Sequence, residues 1–167
     1  MAATAAPPRR SRSAANKYLT MVLAKEHYGV PILKVQEIIG LQDITPVPRM
    51  PHEVRGVLNL RGRVIPIIDL RSRFGLDRGE DTKRTCIVVV QVAAPVEGSP
   101  SVIMGVVVDM VSEVQDIPPE QIEPAPSLGT AVDTAFIAGV GKVGKRVIML
   151  LDIDRALGTA AAATFPL

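Results

Sequence analysis

The sequence predicts an all-β protein built from two related β subdomains, and three observations carry that prediction. The first is a gap-free repeat. Residues 56–70 and residues 139–153 share Gly56/Gly139, Val57/Val140, Arg63/Arg146, Val64/Val147, Ile65/Ile148 and Asp69/Asp152. The second is another pair in the same order: Gly29-Val30 with Glu37-Ile38 recurs, at the same internal spacing, as Gly105-Val106 with Glu113-Val114. Two such pairs mark duplication of a structural unit. The third is composition, 47% hydrophobic but only 3% aromatic and without Trp, so that Val, Ile and Leu must fill the core. β-Branched side chains favour sheet.

Taken in order, residues 1–16 are Ala, Pro, Arg and Ser without periodicity. Such a stretch cannot bury enough apolar surface to offset the entropy of ordering, and it is expected to be disordered. Residues 18–23 and 27–32 read as a strand pair joined across Ala24-Lys25-Glu26, with Pro31 marking an edge position or a strand end. The apolar positions of residues 33–39 suit one helical turn as well as a strand, and a turn running into a short strand is preferred. Pro46, Pro48 and Pro51 deny backbone donors to any ladder, so residues 45–51 form an irregular connection.

Apolar and polar residues alternate over 57–61, Gly62 interrupts, and a denser apolar run resumes to Leu70. That pattern is a hairpin in which Gly62 takes a positive φ, while Arg61 and Arg63 keep the tip charged and wet. A polar connection over 71–82 leads to strands at 85–92, 101–108 and 111–117, with a turn region at 94–100. Residues 118–126 repeat the proline-rich connection, and residues 136–143 with 145–151 repeat the hairpin. A short helix over 152–157 is capped by Asp152 or Asp154. The expected plan is a disordered tail over 1–16, one domain over 17–157 made of two β subdomains, and a loose tail over 158–167.

The net charge of +2 comes largely from Arg9, Arg10, Arg12 and Lys17, leaving a nearly neutral body. A nucleic-acid binder concentrates Lys and Arg on its folded surface, with aromatics if it stacks single strands. A small β-barrel nucleic-acid binder with a basic arm is therefore the alternative reading, and it would betray itself by steep salt dependence. No apolar run approaches the ~20 residues that cross a bilayer, which predicts a cytoplasmic protein without direct membrane insertion. Cys86 lies in an apolar strand pattern and reads as a buried strand residue. Gly139 to Lys145 has the spacing of a phosphate-binding loop, but Arg146 replaces the magnesium-binding hydroxyl and a strand pattern follows. His52-Glu53 lacks a second His four residues on, so no metal site assembles. With no catalytic base, nucleophile, metal or cofactor loop identified, the expectation is no enzyme and no cofactor, and function must lie in surfaces.

At this point the residues resemble a known family, the CheW-type coupling proteins of bacterial chemotaxis. The likeness runs over residues 17–157, and its most specific blocks are residues 28–39, 56–70, 105–109 and 121–126. It implies two packed SH3-like five-stranded β-barrels with a short C-terminal helix. The implied role is a non-catalytic adaptor coupling the cytoplasmic tips of chemoreceptors to a CheA-type histidine kinase, so that the protein sits at the inner membrane face through receptor arrays. By motif, the resemblance implies that Leu33, Val35, Glu37 and Ile38 contact the kinase regulatory domain, and that Pro126 and Leu128 form a second kinase contact. Gly56, Asn59 and Arg61 match the segment associated with the receptor tip. The sequence departs from the family at Leu128, where an aromatic is usual nearby, near Glu123, where a basic residue is usual, and at Arg49, which replaces an Asn.

Overall fold

In the computed structural model, eleven strands form two sheets, and residues 15–77, 79–93, 98, 100–124 and 136–164 are described, the last six by their backbone alone. The first hairpin is β1 (Lys17–Leu23) and β2 (Glu26–Pro31), turning at Ala24 and Lys25 with φ 49° and 71°. Both turn residues take the left-handed conformation without glycine, which matches the hairpin twist at a local cost. A 3-10 turn over Ile32–Lys34 then runs into β3 (Val35–Gly40), the turn-then-strand expected of this segment. Pro31 ends β2 as a strand end, although β2 itself is an inner strand.

The central hairpin is β4 (Val54–Leu60) and β5 (Arg63–Asp69), with Arg61 at φ 54° and Gly62 at φ 83° in the turn. Strands β6 (Cys86–Val92), β7 (Val102–Val108) and β8 (Met110–Asp116) follow. Then come the two-residue β9 (Ile122–Glu123), β10 (Ile137–Val143) and β11 (Arg146–Leu151). Among the described residues, α-helices span Leu70–Arg73 and Ile153–Thr164. The first was hidden in what the sequence presents as a polar connection. The second runs past Leu157, so its last turns occupy part of the segment expected to be a loose tail. Residues 1–14 of the expected N-terminal tail lie outside the described residues.

One sheet has the order β8-β1-β2-β11-β10-β9, the other β3-β6-β7-β5-β4. Each is an SH3-like barrel, but neither is one half of the sequence. The second barrel takes β3, β4 and β5 from the first copy and β6 and β7 from the second; the first barrel is the converse. The duplication is thus interlocked. Its two parallel joints are equivalent by the repeat, Leu150 beside Gly29 and Ile67 beside Gly105. A Cβ on Gly29 would meet Leu150 and Ile148 at 3.0 and 3.2 Å, and one on Gly105 would meet Ile67 and Ile87 at 2.6 and 2.8 Å. Glycine is used at these joints because the strands cross under side chains.

Asp69 and Asp152 recur because each caps a helix. Asp69 Oδ1 accepts from the Ser72 amide and Asp152 Oδ1 from the Arg155 amide, both at 3.2 Å. Their own amides donate to the carbonyls of Glu53 and Phe136 at 2.7 and 2.8 Å.

Burial alternates to serve two cores at once. On β6, Ile87 and Val89 fill the second barrel with Leu58, Ile65, Ile67 and Val107, while Val88, Val90 and Val92 face the layer between barrels. That layer is the main core, where Met21, Leu23, Tyr28, Ile68, Leu70, Met104 and Leu157 meet. A strand covered on both faces reads as a continuous apolar run, as residues 87–90 do. Cys86 is half-buried, and desolvation raises its thiol pKa.

Candidate functional site

Strand β3 lies at the end of its sheet, paired on one side to β6. Its side chains alternate between half-buried and exposed. Leu33, in the turn just before it, is 70% exposed, and Ile38 is 45% exposed. Exposed apolar side chains beside an edge strand are the chemistry of a contact surface. Val35 is half-buried and packs against the main core, so it serves both the fold and the surface.

Glu37 brings the two sequence-predicted sites together. Arg61, at the tip of the β4–β5 hairpin, donates from Nη1 to Glu37 Oε2, although the two residues were expected on different surfaces. Strands β3 and β4 stand at opposite ends of the sheet order, so this pair spans the seam where the barrel curls closed. Asp69 is held instead by Arg55 Nε at 2.9 Å, and Arg55 also reaches Asp81. Asp69 is tied to the helix it caps and to Arg55, at the end of the hairpin away from the tip.

Gly56 offers no surface. It is buried at φ 147°, and a Cβ there would lie 2.1 Å from the Thr45 carbonyl oxygen. Thr45 and Val57 exchange two backbone hydrogen bonds of 2.9 Å across this close approach. Asn59 is exposed, and its Oδ1 accepts from the Gly62 amide at 2.9 Å, holding the turn that presents Arg61. Of the three residues expected at a receptor contact, Asn59 and Arg61 are exposed and Gly56 is buried. Pro126 and Leu128 lie outside the described residues.

Two ion clusters were missed by sequence reasoning. Arg71 donates from Nε to Asp109 Oδ1 at 2.8 Å and from Nη2 to Oδ2, which also accepts from the Ala24 amide at 2.9 Å. Burial pushes the Asp109 carboxyl up, but the hydrogen bonds from Arg71 and Ala24 outweigh it and hold the group below its ordinary value. Lys34 Nζ donates to both oxygens of Asp154 at 3.1 and 2.9 Å, and Asp154 Oδ1 accepts from the Ala93 amide at 2.8 Å. The partners stand 38 and 120 residues apart. Residues 71 and 154 stand just past the two repeats and carry opposite charges, so no local signal marked them.

Residues 17–161 match the family model described as "CheW-like domain". The chain is 37% identical over 147 residues to the chemotaxis protein CheW of Klebsiella aerogenes, covering 88% of this chain and 84% of that protein. It is 36% identical over 129 residues to the chemotaxis protein CheW of Rhizobium meliloti, covering 77% and 79%. Among solved structures, the scaffolding protein TtCheW from Thermoanaerobacter tengcongensis superposes with a TM-score of 0.77 at 33% identity, covering 89% of this chain and 97% of that one.

Proposed function

The chain belongs to the family of CheW-like domains and has the adaptor role of that family in chemotaxis, and we propose that it couples chemoreceptor tips to the regulatory domain of a CheA-type histidine kinase. The observation that carries this reading is the exposed apolar edge at β3. Leu33 and Ile38 stand in solvent on either side of Val35 and Glu37, and apolar anchors ringed by polar groups are what a specific protein contact uses. Asn59 and Arg61 supply the receptor contact next to it. The guanidinium is exposed beyond its bond to Glu37, and its planar fork suits the carbonyls and carboxylates of a helical hairpin tip.

The adaptor works by holding partners together, and no chemical step is assigned to it. The family of scaffolds to which it belongs implies the same. Among the described residues no helix is long and apolar enough to cross a membrane, so membrane proximity would come through receptors. The nucleic-acid alternative finds no support in the family or the relatives. Co-elution of the full chain with a CheA-type regulatory fragment, and separately with a receptor signalling fragment, tests the reading. Both complexes are expected, at salt concentrations that would strip a phosphate binder. Absence of both would overturn it.

A further inference from the structure

The two missed ion clusters are equivalents of one another with their charges exchanged. Arg71 and Asp154 each stand two residues after a capping aspartate, Asp69 or Asp152. Ala24 and Ala93 each follow directly on a strand, β1 or β6, and each gives its amide to the carboxylate of its cluster. The remaining member precedes the edge strand: Asp109 before β8, Lys34 before β3. In one cluster the cation is on the helix and the carboxylate on the connection. In the other the carboxylate is on the helix and the cation on the connection, one position along.

Lys34 is the last residue of the 3-10 turn that carries Leu33. That turn has little else to hold it. It has no buried residue and no side-chain cap, and its closing bond is the Val35 amide to the Ile32 carbonyl. Ile32 and Val35 are only partly buried against the core. Asp154, in the first turn of the C-terminal helix, therefore fixes the turn to two other elements, the helix and the end of β6.

We infer that Asp154 is a positioning residue for the candidate kinase contact: through Lys34 and the Ala93 amide it holds the Ile32–Lys34 turn in the conformation that presents Leu33. The inference rests on the kinase reading above, and its test separates the two. The molecule supplies the design, because the Arg71–Asp109 cluster shows the reversed polarity accommodated at the equivalent place. The full chain is prepared as Lys34→Asp, Asp154→Arg, the double variant carrying both, and Lys34→Arg.

Amide exchange at residues 33–35 and affinity for a CheA-type regulatory fragment are measured on each, with the urea midpoint as a check on the fold. Each charge reversal is expected to speed exchange at these amides about ten-fold while leaving the β6 and β7 amides protected. Affinity falls about five-fold in each, the scale of one partly exposed ion pair. The double variant returns both readouts to within about two-fold of the wild type, and Lys34→Arg keeps them. Unchanged exchange in both single variants overturns the inference, as does a double variant no better than either single. Faster exchange with unchanged affinity shows that Asp154 orders a turn the kinase does not touch, which overturns the inference and leaves kinase binding standing. If the wild-type chain binds no fragment, the kinase reading falls and takes the positioning role with it, and exchange judges only whether Asp154 holds the turn.

Discussion

Replacing Gly56 by Ala places a methyl carbon 2.1 Å from the Thr45 carbonyl oxygen and 2.7 Å from its carbon. Both are backbone atoms, so no side-chain rotation relieves the clash, and the segment from Thr45 to Pro46 must move off β4. The displaced bridge carries two hydrogen bonds of 2.9 Å, worth about 1 kcal/mol each net. Alanine at this φ adds about 1–3 kcal/mol of backbone strain. The expected loss is about 3–5 kcal/mol, a large share of the ~5–15 kcal/mol typical of a domain. Urea unfolding reads the loss, and amide exchange at Thr45 and Val57 locates it. The repeat provides a control, because Gly139 has an unstrained φ and its added Cβ meets the Ile122 side chain at 2.8 Å and the Glu123 oxygen at 3.0 Å. Gly139→Ala should cost less than Gly56→Ala. A Gly56→Ala loss below ~1 kcal/mol with both amides still protected would refute the reasoning.

Stability at acid pH should depend on Asp109, whose carboxyl, despite burial, is held below its ordinary value by the hydrogen bonds from Arg71 and Ala24. The unfolded chain binds the proton more readily, so this contribution is fully present above the unfolded pKa and is lost as pH falls through the folded one. Asp109→Asn should flatten the stability profile below about pH 4 relative to the wild type, and an unchanged acid limb would dismiss the ion cluster. Removing residues 153–164 strips the buried Ile153, Ala156 and Leu157 from the main core, with an expected loss above ~3 kcal/mol, whereas truncation after Gly158 should cost under ~1 kcal/mol. Arg61→Asp faces Glu37 with a like charge and is expected to weaken binding to both the receptor and the kinase fragments, with Glu37→Arg restoring part of the loss. Loss confined to the receptor would mean that the pair does not couple the two surfaces.

The hairpins and most strands were legible because period-two alternation, proline clusters and the glycine turn are local signals; β9 was not, because its two residues lie inside the proline-rich connection over 118–126 and pair only through β10. The C-terminal helix and its cap, Asp152 or Asp154, were legible, whereas Asp69 recurred in the repeat without its capping role being read. What the sequence could not convey was which copy's strands lie together. Duplication says that β2 resembles β7, and the interlocking that sets Gly29 against Leu150 and Gly105 against Ile67 depends on parallel joints with no local signature. The turn at Ala24-Lys25 carries no glycine, so its left-handed backbone is imposed by the ladder on either side. The Leu70–Arg73 helix is a single turn, too short for a periodic pattern. Arg61 meets Glu37 only because the barrel curls closed, and that closure sets residues expected on different surfaces side by side.

The central claim is that the apolar edge at β3 binds the kinase regulatory domain, and titration of the full chain with a CheA-type regulatory fragment tests it most directly. Leu33→Asp and Ile38→Asp change side chains that are 70% and 45% exposed, so both variants should melt as the wild type does. The account predicts saturable wild-type binding that falls more than about thirty-fold in each variant, the scale of a hot spot, and that varies little with salt. Folded variants that bind as tightly as the wild type would contradict it.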